Sequence, residues 1–263
     1  MELILAASEC DPSDQIICTP SSVNELFELP FKFGINRTII LTVLAAVLIV
    51  VFFYMAFRRK SVVPGKLQAL GEAALGFVRD EIAIGIIGPK EGLKYFPYLA
   101  SVFFFVLVGN LFEVIPLTLF PITSRIGLPA FLAIITWIIF IVAGIRAQGM
   151  GYFTHLIWPP GVPVALKPLV GIIELVSTLL VRPFSLAVRL FANLAAGHVM
   201  LSLLLLSGWV FLFSAKFYIG VGWFALGIGI YVFEILVALL QAYIFTLLSA
   251  VYIQTSIEVE DAH

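Results

Sequence analysis

Charge is scarce in this sequence. Lys and Arg number 15 and Asp and Glu 16 in 263 residues, or 12%, where soluble domains carry about a quarter. With 62% hydrophobic residues and a mean hydropathy of +1.12, a soluble globule is excluded. The formal net charge of −1 gives no pull toward nucleic acid, which is not expected as a partner. Cysteine is nearly missing: only Cys10 and Cys18 occur, in an acidic N-terminal stretch, at a spacing that fits neither a CxxC redox pair nor a zinc site. At most one small disulfide can form. A Walker loop, a zinc motif and a hydrolase elbow are all lacking, so nucleotide or peptide chemistry is not expected in this chain, nor a cofactor or metal. The opening MELILAAS has no basic n-region and no full-length h-region, so a cleaved signal peptide is not expected.

What the sequence has is apolar runs. Ile39 to Phe57 is long enough to cross a bilayer and stops at Arg58, Arg59 and Lys60. By the positive-inside rule that cluster is a cytoplasmic anchor, which places residues 1–38, with Glu2, Glu9, Asp11 and Asp14, on the outer side. From Lys66 to about Ile87, Leu67, Leu70, Ala74, Phe77 and Val78 recur at helical spacing between charged residues, which predicts an amphipathic helix on the inner surface. Tyr95 to Ile115, with Glu113 near its outer end, and about Pro129 to Ile145 are the next crossings. A Gly- and Pro-rich inner loop, GMGYFTHLIWPPGVP, follows. Leu169 to Leu206 and Gly222 to Ser256 are too long for perpendicular crossings and must be tilted or broken. This scheme leaves nine Lys and Arg inside and four outside. The expected fold is therefore an all-α integral membrane protein with five membrane-crossing helices, the last two long and tilted, plus the surface helix. Residues 39–263 form a single polytopic membrane domain, with the N-terminus outside and the C-terminus in the cytoplasm.

Polar residues inside these runs carry the functional reading. Arg189 lies midway along the fourth run, in RPFSLAVRLFANLAAGH, where a central arginine costs about 2.5–3.5 kcal/mol on insertion scales. It either snorkels to headgroups or faces a wet path or a counter-ion. Arg182, Ser185, Arg189, Asn193 and Ala196 fall on one helical stripe that is polar or small. Small residues at Ala187, Ala192, Ala195, Ala196 and Gly197 permit close helix approach, within this chain or from another. In the fifth run Glu234 and Gln241 are seven residues apart and share a face, with Tyr243 on the neighbouring stripe. Carboxyl and imidazole groups exchange protons with water, so Glu234 and His198 suit a proton access path. The alternatives are a helix-end histidine hydrogen-bonded to a carbonyl and, for Glu234, a structural pair with His198. Glu174, near the inner start of the fourth run, suits a second path from the other side. Arginine never releases its proton at physiological pH and thus blocks a direct leak where two such paths meet.

These residues carry a resemblance. RPFSLAVRLFANLAAGH, with LLQAYIFTLLSAVYI downstream and GNLFEVIP in an earlier span, resembles subunit a of F-type ATP synthases over most of the chain. The resemblance implies that Arg189 faces the proton-carrying carboxylates of a rotating c-ring, with Gln241 close by; Ser185, on the arginine's stripe, is a further candidate for proton translocation. It implies that Asn193, His198 and Glu234 line an outer half-channel. Glu174, whose distance from the arginine differs by one residue from the family pattern, lines the inner one. The implied partners are the c-ring, the b-type peripheral stalk subunits, the rest of the complex and the lipid bilayer. The implied location is a bacterial plasma membrane, with a mitochondrial inner membrane as the alternative. Three readings compete: an ion-coupled carrier, which needs a midplane substrate site; a membrane scaffold, in which Arg189 is dispensable; and sodium in place of proton coupling.

Overall fold

The structure, a computed structural model, describes residues 37–58, 64–115, 126–149, 151–158, 163, 166–214 and 216–257. The tail with Cys10 and Cys18, Arg59 and Lys60 of the basic cluster, and the loop with Pro121, Ser124 and Arg125 lie outside them, as does the side chain of Glu113. Nearly all the described residues are helical, with no strand among them. That is what an apolar chain in hydrocarbon must do, since backbone amides find no water there and must bond within their own segment.

The α-helices, numbered in chain order, are α1 (Arg37–Phe57), α2 (Lys66–Phe77), α3 (Glu91–Val114), α4 (Gly127–Gln148), α5 (Gly151–Ile157), α6 (Lys167–Val176), α7 (Arg182–Leu212) and α8 (Phe217–Ile257). Two π-helical segments join neighbours: Val78–Ile87 continues α2, and Ser177–Val181 links α6 to α7. Five stretches are long and apolar enough to cross a membrane: Thr38–Phe57, Glu91–Phe112, Gly127–Gln148, Lys167–Leu212 and Phe217–Ile257. All five predicted crossings are thus present, and the amphipathic stretch from Lys66 to Ile87 is helical over its predicted length. The last two crossings, of 46 and 41 residues, run about 69 and 62 Å at 1.5 Å per residue. A hydrocarbon layer of about 30 Å cannot hold either of them upright. The fourth is interrupted by a π turn; the fifth is one uninterrupted helix.

Several details depart from the sequence reading: the fourth crossing runs on to Leu212 and the fifth begins at Phe217, both beyond the predicted Leu206 and Gly222. The predicted inner loop contains the short helix α5, and α3 starts four residues early, at Glu91, where Glu91 and Lys94 form an ion pair one turn apart. Glycine closes two of the segments with a positive φ: Gly88, at +99°, ends the first π segment, and Gly149, at +63°, ends α4 while its N–H bonds Ile145 O at 2.8 Å.

The chain divides into two compact units, and the divisions fall inside α1, α3, α7 and α8. Among the described residues one unit comprises 37–47, 107–115 and the stretch from Ala192 to Leu240. Its apolar centre includes Leu206 and Phe211, packed by Val210, Ile219 and Trp223. Gly220 lies against the backbone of Phe211 and Leu212, so the hairpin between α7 and α8 closes where no side chain intervenes. The other unit comprises Leu48–Val106, Arg125–Phe191 and Gln241–His263. Aromatic rings tie its helices: Phe53 to Phe104 at 4.8 Å, Phe77 to Phe103 at 6.0 Å and to Tyr243 at 5.9 Å, and Phe140 to Tyr252 at 5.9 Å. Polar links are few: the Tyr98 and Thr136 hydroxyls meet at 2.6 Å, and Gln148 Nε2 donates to Ser256 O at 3.2 Å. Gly171 abuts the carbonyl of Ile157, which presses α5 onto α6, and Lys167 Nζ sits 5.5 Å over the Trp158 ring.

Candidate functional site

The stripe on α7 is resolved into two faces with different fates. Leu186, Ala187, Leu190, Leu194, Gly197 and His198 turn inward and are buried. Arg189 and Ala196 are exposed, and Ser185 and Asn193 are partly exposed. Ser185 spends its hydroxyl on its own helix, donating to Arg182 O at 3.1 Å. Arg189 has no ion-pair or hydrogen-bond partner among the described residues. A permanently charged side chain therefore stands on an apolar helix facing out of the chain, beside small and polar neighbours. Of the alanines noted in the sequence, Ala187 packs inside while Ala192 and Ala196 face outward.

In the unit that holds the second half of α7, His198 is 7% exposed and Glu234 5%. The Glu234 carboxyl lies directly against Gly197: a Cβ built on that glycine would come within 2.6 Å of Glu234 Cδ and 2.7 Å of Oε2. A side chain at this position would force the carboxyl at the end of Glu234 to shift. Glu234 Oε2 is buried with no hydrogen-bond partner among the described residues, an expensive state for a polar oxygen. The sequence signalled the acid and the histidine and marked Gly197 as a small residue for close helix approach, but not its fit to the carboxyl.

In the unit that holds the first half of α7, Gln241 is 7% exposed, on α8. Glu174, on α6, is paired: Arg182 Nη2 donates to its Oε1 at 3.1 Å, and Thr178 Oγ1 donates to the same oxygen at 3.4 Å. Arg182 also reaches α8, donating through Nη1 to Thr255 Oγ1 at 3.3 Å, with Cζ 5.4 Å above the Tyr252 ring. Arg182 was legible as a stripe member; its partnership with Glu174 was not.

The family described as ATP synthase A chain matches residues 39–254. The chain belongs to this family. The match runs through all five crossings. The chain is similar to curated proteins named ATP synthase subunit a: that of Frankia alni is 44% identical over 240 residues, covering 87% of this chain and 83% of the relative. That of Pseudarthrobacter chlorophenolicus is 40% identical over 254 residues, covering 93% and 95%; that of Streptomyces lividans is 42% identical over 221 residues, covering 83% and 78%. As a member of the ATP synthase A chain family with bacterial relatives, the chain is a multi-pass plasma-membrane component of ATP synthase, in ATP synthesis and proton transport.

Proposed function

We propose that this chain is the proton-directing stator subunit of an F-type rotary ATP synthase, with no catalytic site of its own. Its N-terminus lies outside and its C-terminus in the cytoplasm. A proton from outside passes Asn193, His198 and Glu234 and neutralises a c-ring carboxylate, which can then turn through lipid. After nearly a full rotation that carboxyl meets the inner path at Glu174 and the fixed charge of Arg189, which favours release of its proton. Gln241 and Ser185 border the arginine. The membrane potential supplies about 2.3 kcal/mol per charge per 100 mV, so several protons act together for each ATP made elsewhere in the complex. The c-ring docks on the Arg189 face, and b-type subunits hold the chain against rotation.

One observation carries this reading: Arg189 is exposed from an apolar helix without a counter-ion among the described residues. The cost of a cation in hydrocarbon makes that arrangement sensible only if another chain's carboxylates or a wet path come to meet it. The test is Arg189→Ala in membranes carrying the whole complex, with ATP-driven pumping and passive leak measured beside assembly. Assembly with loss of coupled pumping is the expected result. Normal coupled pumping would make the arginine structural and end the proposal.

A further inference from the structure

We infer that Arg182 is a positioning residue for Glu174, fixing one carboxylate oxygen and leaving the other to exchange protons with water. The inference rests on the reading of Glu174 as a member of the inner path. Arg182 and Thr178 both donate to Oε1, and Oε2 has no donor among the described residues. The carboxylate is thereby held by one oxygen and open at the other.

The helix is built to make this pair. Glu174 and Arg182 are eight residues apart, and in an uninterrupted α-helix that spacing turns one side chain about 80° away from the other. The π-helical segment Ser177–Val181 lies between them. Each π turn holds about 4.4 residues, which brings the two positions to within roughly 10° of the same face and shortens the rise between them. Arg182 is in turn fixed from α8 by the Thr255 hydroxyl and the Tyr252 ring, and that ring packs on buried Phe140 of α4. Groups from α6 and α8 therefore hold one guanidinium, with α4 behind the ring. Its target is 43% exposed in its side chain while Arg182 is 20% exposed. So open an ion pair contributes little to folding, whereas holding the geometry of a transfer group matters much more.

The experiment is a double-mutant cycle on ATP-driven proton pumping by the whole complex in inverted membrane vesicles, normalised to assembled subunit. Glu174→Gln and Arg182→Gln should each lower pumping about 10-fold, a misplacement-sized effect. The double variant should fall no lower than Glu174→Gln alone, because both changes act through one carboxylate. Arg182→Lys should recover part of the loss, keeping the charge without the planar fork. Thr255→Val, which leaves both charged residues in place, should cost about two- to three-fold in the parent and nothing in the Glu174→Gln background; it carries the test if Arg182→Gln fails to assemble. Losses that multiply would overturn the inference while leaving Glu174 in the path. Normal pumping by Glu174→Gln would remove Glu174 from the path and the inference with it.

Discussion

Gly197→Ala tests the fit between the glycine and the buried acid with a single methyl group. Its Cβ would stand 2.6 Å from Glu234 Cδ and 2.7 Å from Oε2, against about 3.5–4.0 Å for an unstrained contact. The carboxyl must retreat by about 1 Å. Over-packing of this size costs about 1–3 kcal/mol when the surroundings cannot yield, which an assembled membrane subunit can tolerate. With Glu234 on the proton path as proposed, the functional effect is larger, since a displacement of about 1 Å at a transfer group costs up to ~100-fold in rate. The expected result is passive proton conduction and coupled pumping reduced about 10- to 100-fold at near-normal subunit levels. Glu234→Asp draws the carboxyl back by about one carbon–carbon bond, ~1.5 Å. In that background Gly197→Ala should therefore add no more than about a two-fold loss. Conduction assays on the four proteins decide the matter. An equal loss in both backgrounds, or normal conduction by Gly197→Ala, refutes the reasoning that the missing side chain exists for the acid.

Further outcomes follow from the same geometry. Glu234→Gln should slow proton uptake from the outer side, and exchanging Glu234 with His198 should restore part of it in the same pumping assay; a swap no better than either single change defeats the idea that the two act as a unit. Gly171→Ala would place a Cβ 2.8 Å from the carbonyl carbon of Ile157, a backbone atom that cannot swing aside, whereas Gly144→Ala meets only the Tyr152 ring. The first should cost about 1–3 kcal/mol and the second less, read as the thermal stability of the purified complex.

The crossings were legible because hydropathy over twenty residues is a strong signal and the membrane leaves helix as the only open-chain solution. The outward placement of Arg189 and Ala196 was legible in part, since spacing puts them on one stripe with Arg182, Ser185 and Asn193, but Arg182 turns to Glu174 and α8 instead. Less was readable at the ends. Glu91 and Lys94 lower the local hydropathy, yet they pair within the first turn of α3 and extend it. Helix α5 has only seven residues between Gly and Pro punctuation, too few for a period to show. The Gly197 approach to Glu234 depends on which turn of α8 faces which turn of α7, information that a helical period does not hold.

The π turn at Ser177–Val181 bears on the one position where the resemblance was out of step. Glu174 lies 15 residues before Arg189, and a π turn is the local structure by which a helix takes up one extra residue without losing its course. With five residues wound at about 4.4 per turn, Glu174 has nearly the angular place of a residue 14 positions before the arginine in a plain α-helix. A single-residue departure in spacing is thus compatible with an unchanged face, and the same turn that restores the face also aligns Glu174 with Arg182. Counting residues along a sequence assumes a uniform helix. Here the helix is not uniform, and the irregular turn sits between the acid and both arginines, where uniform winding would send the carboxylate to a different side.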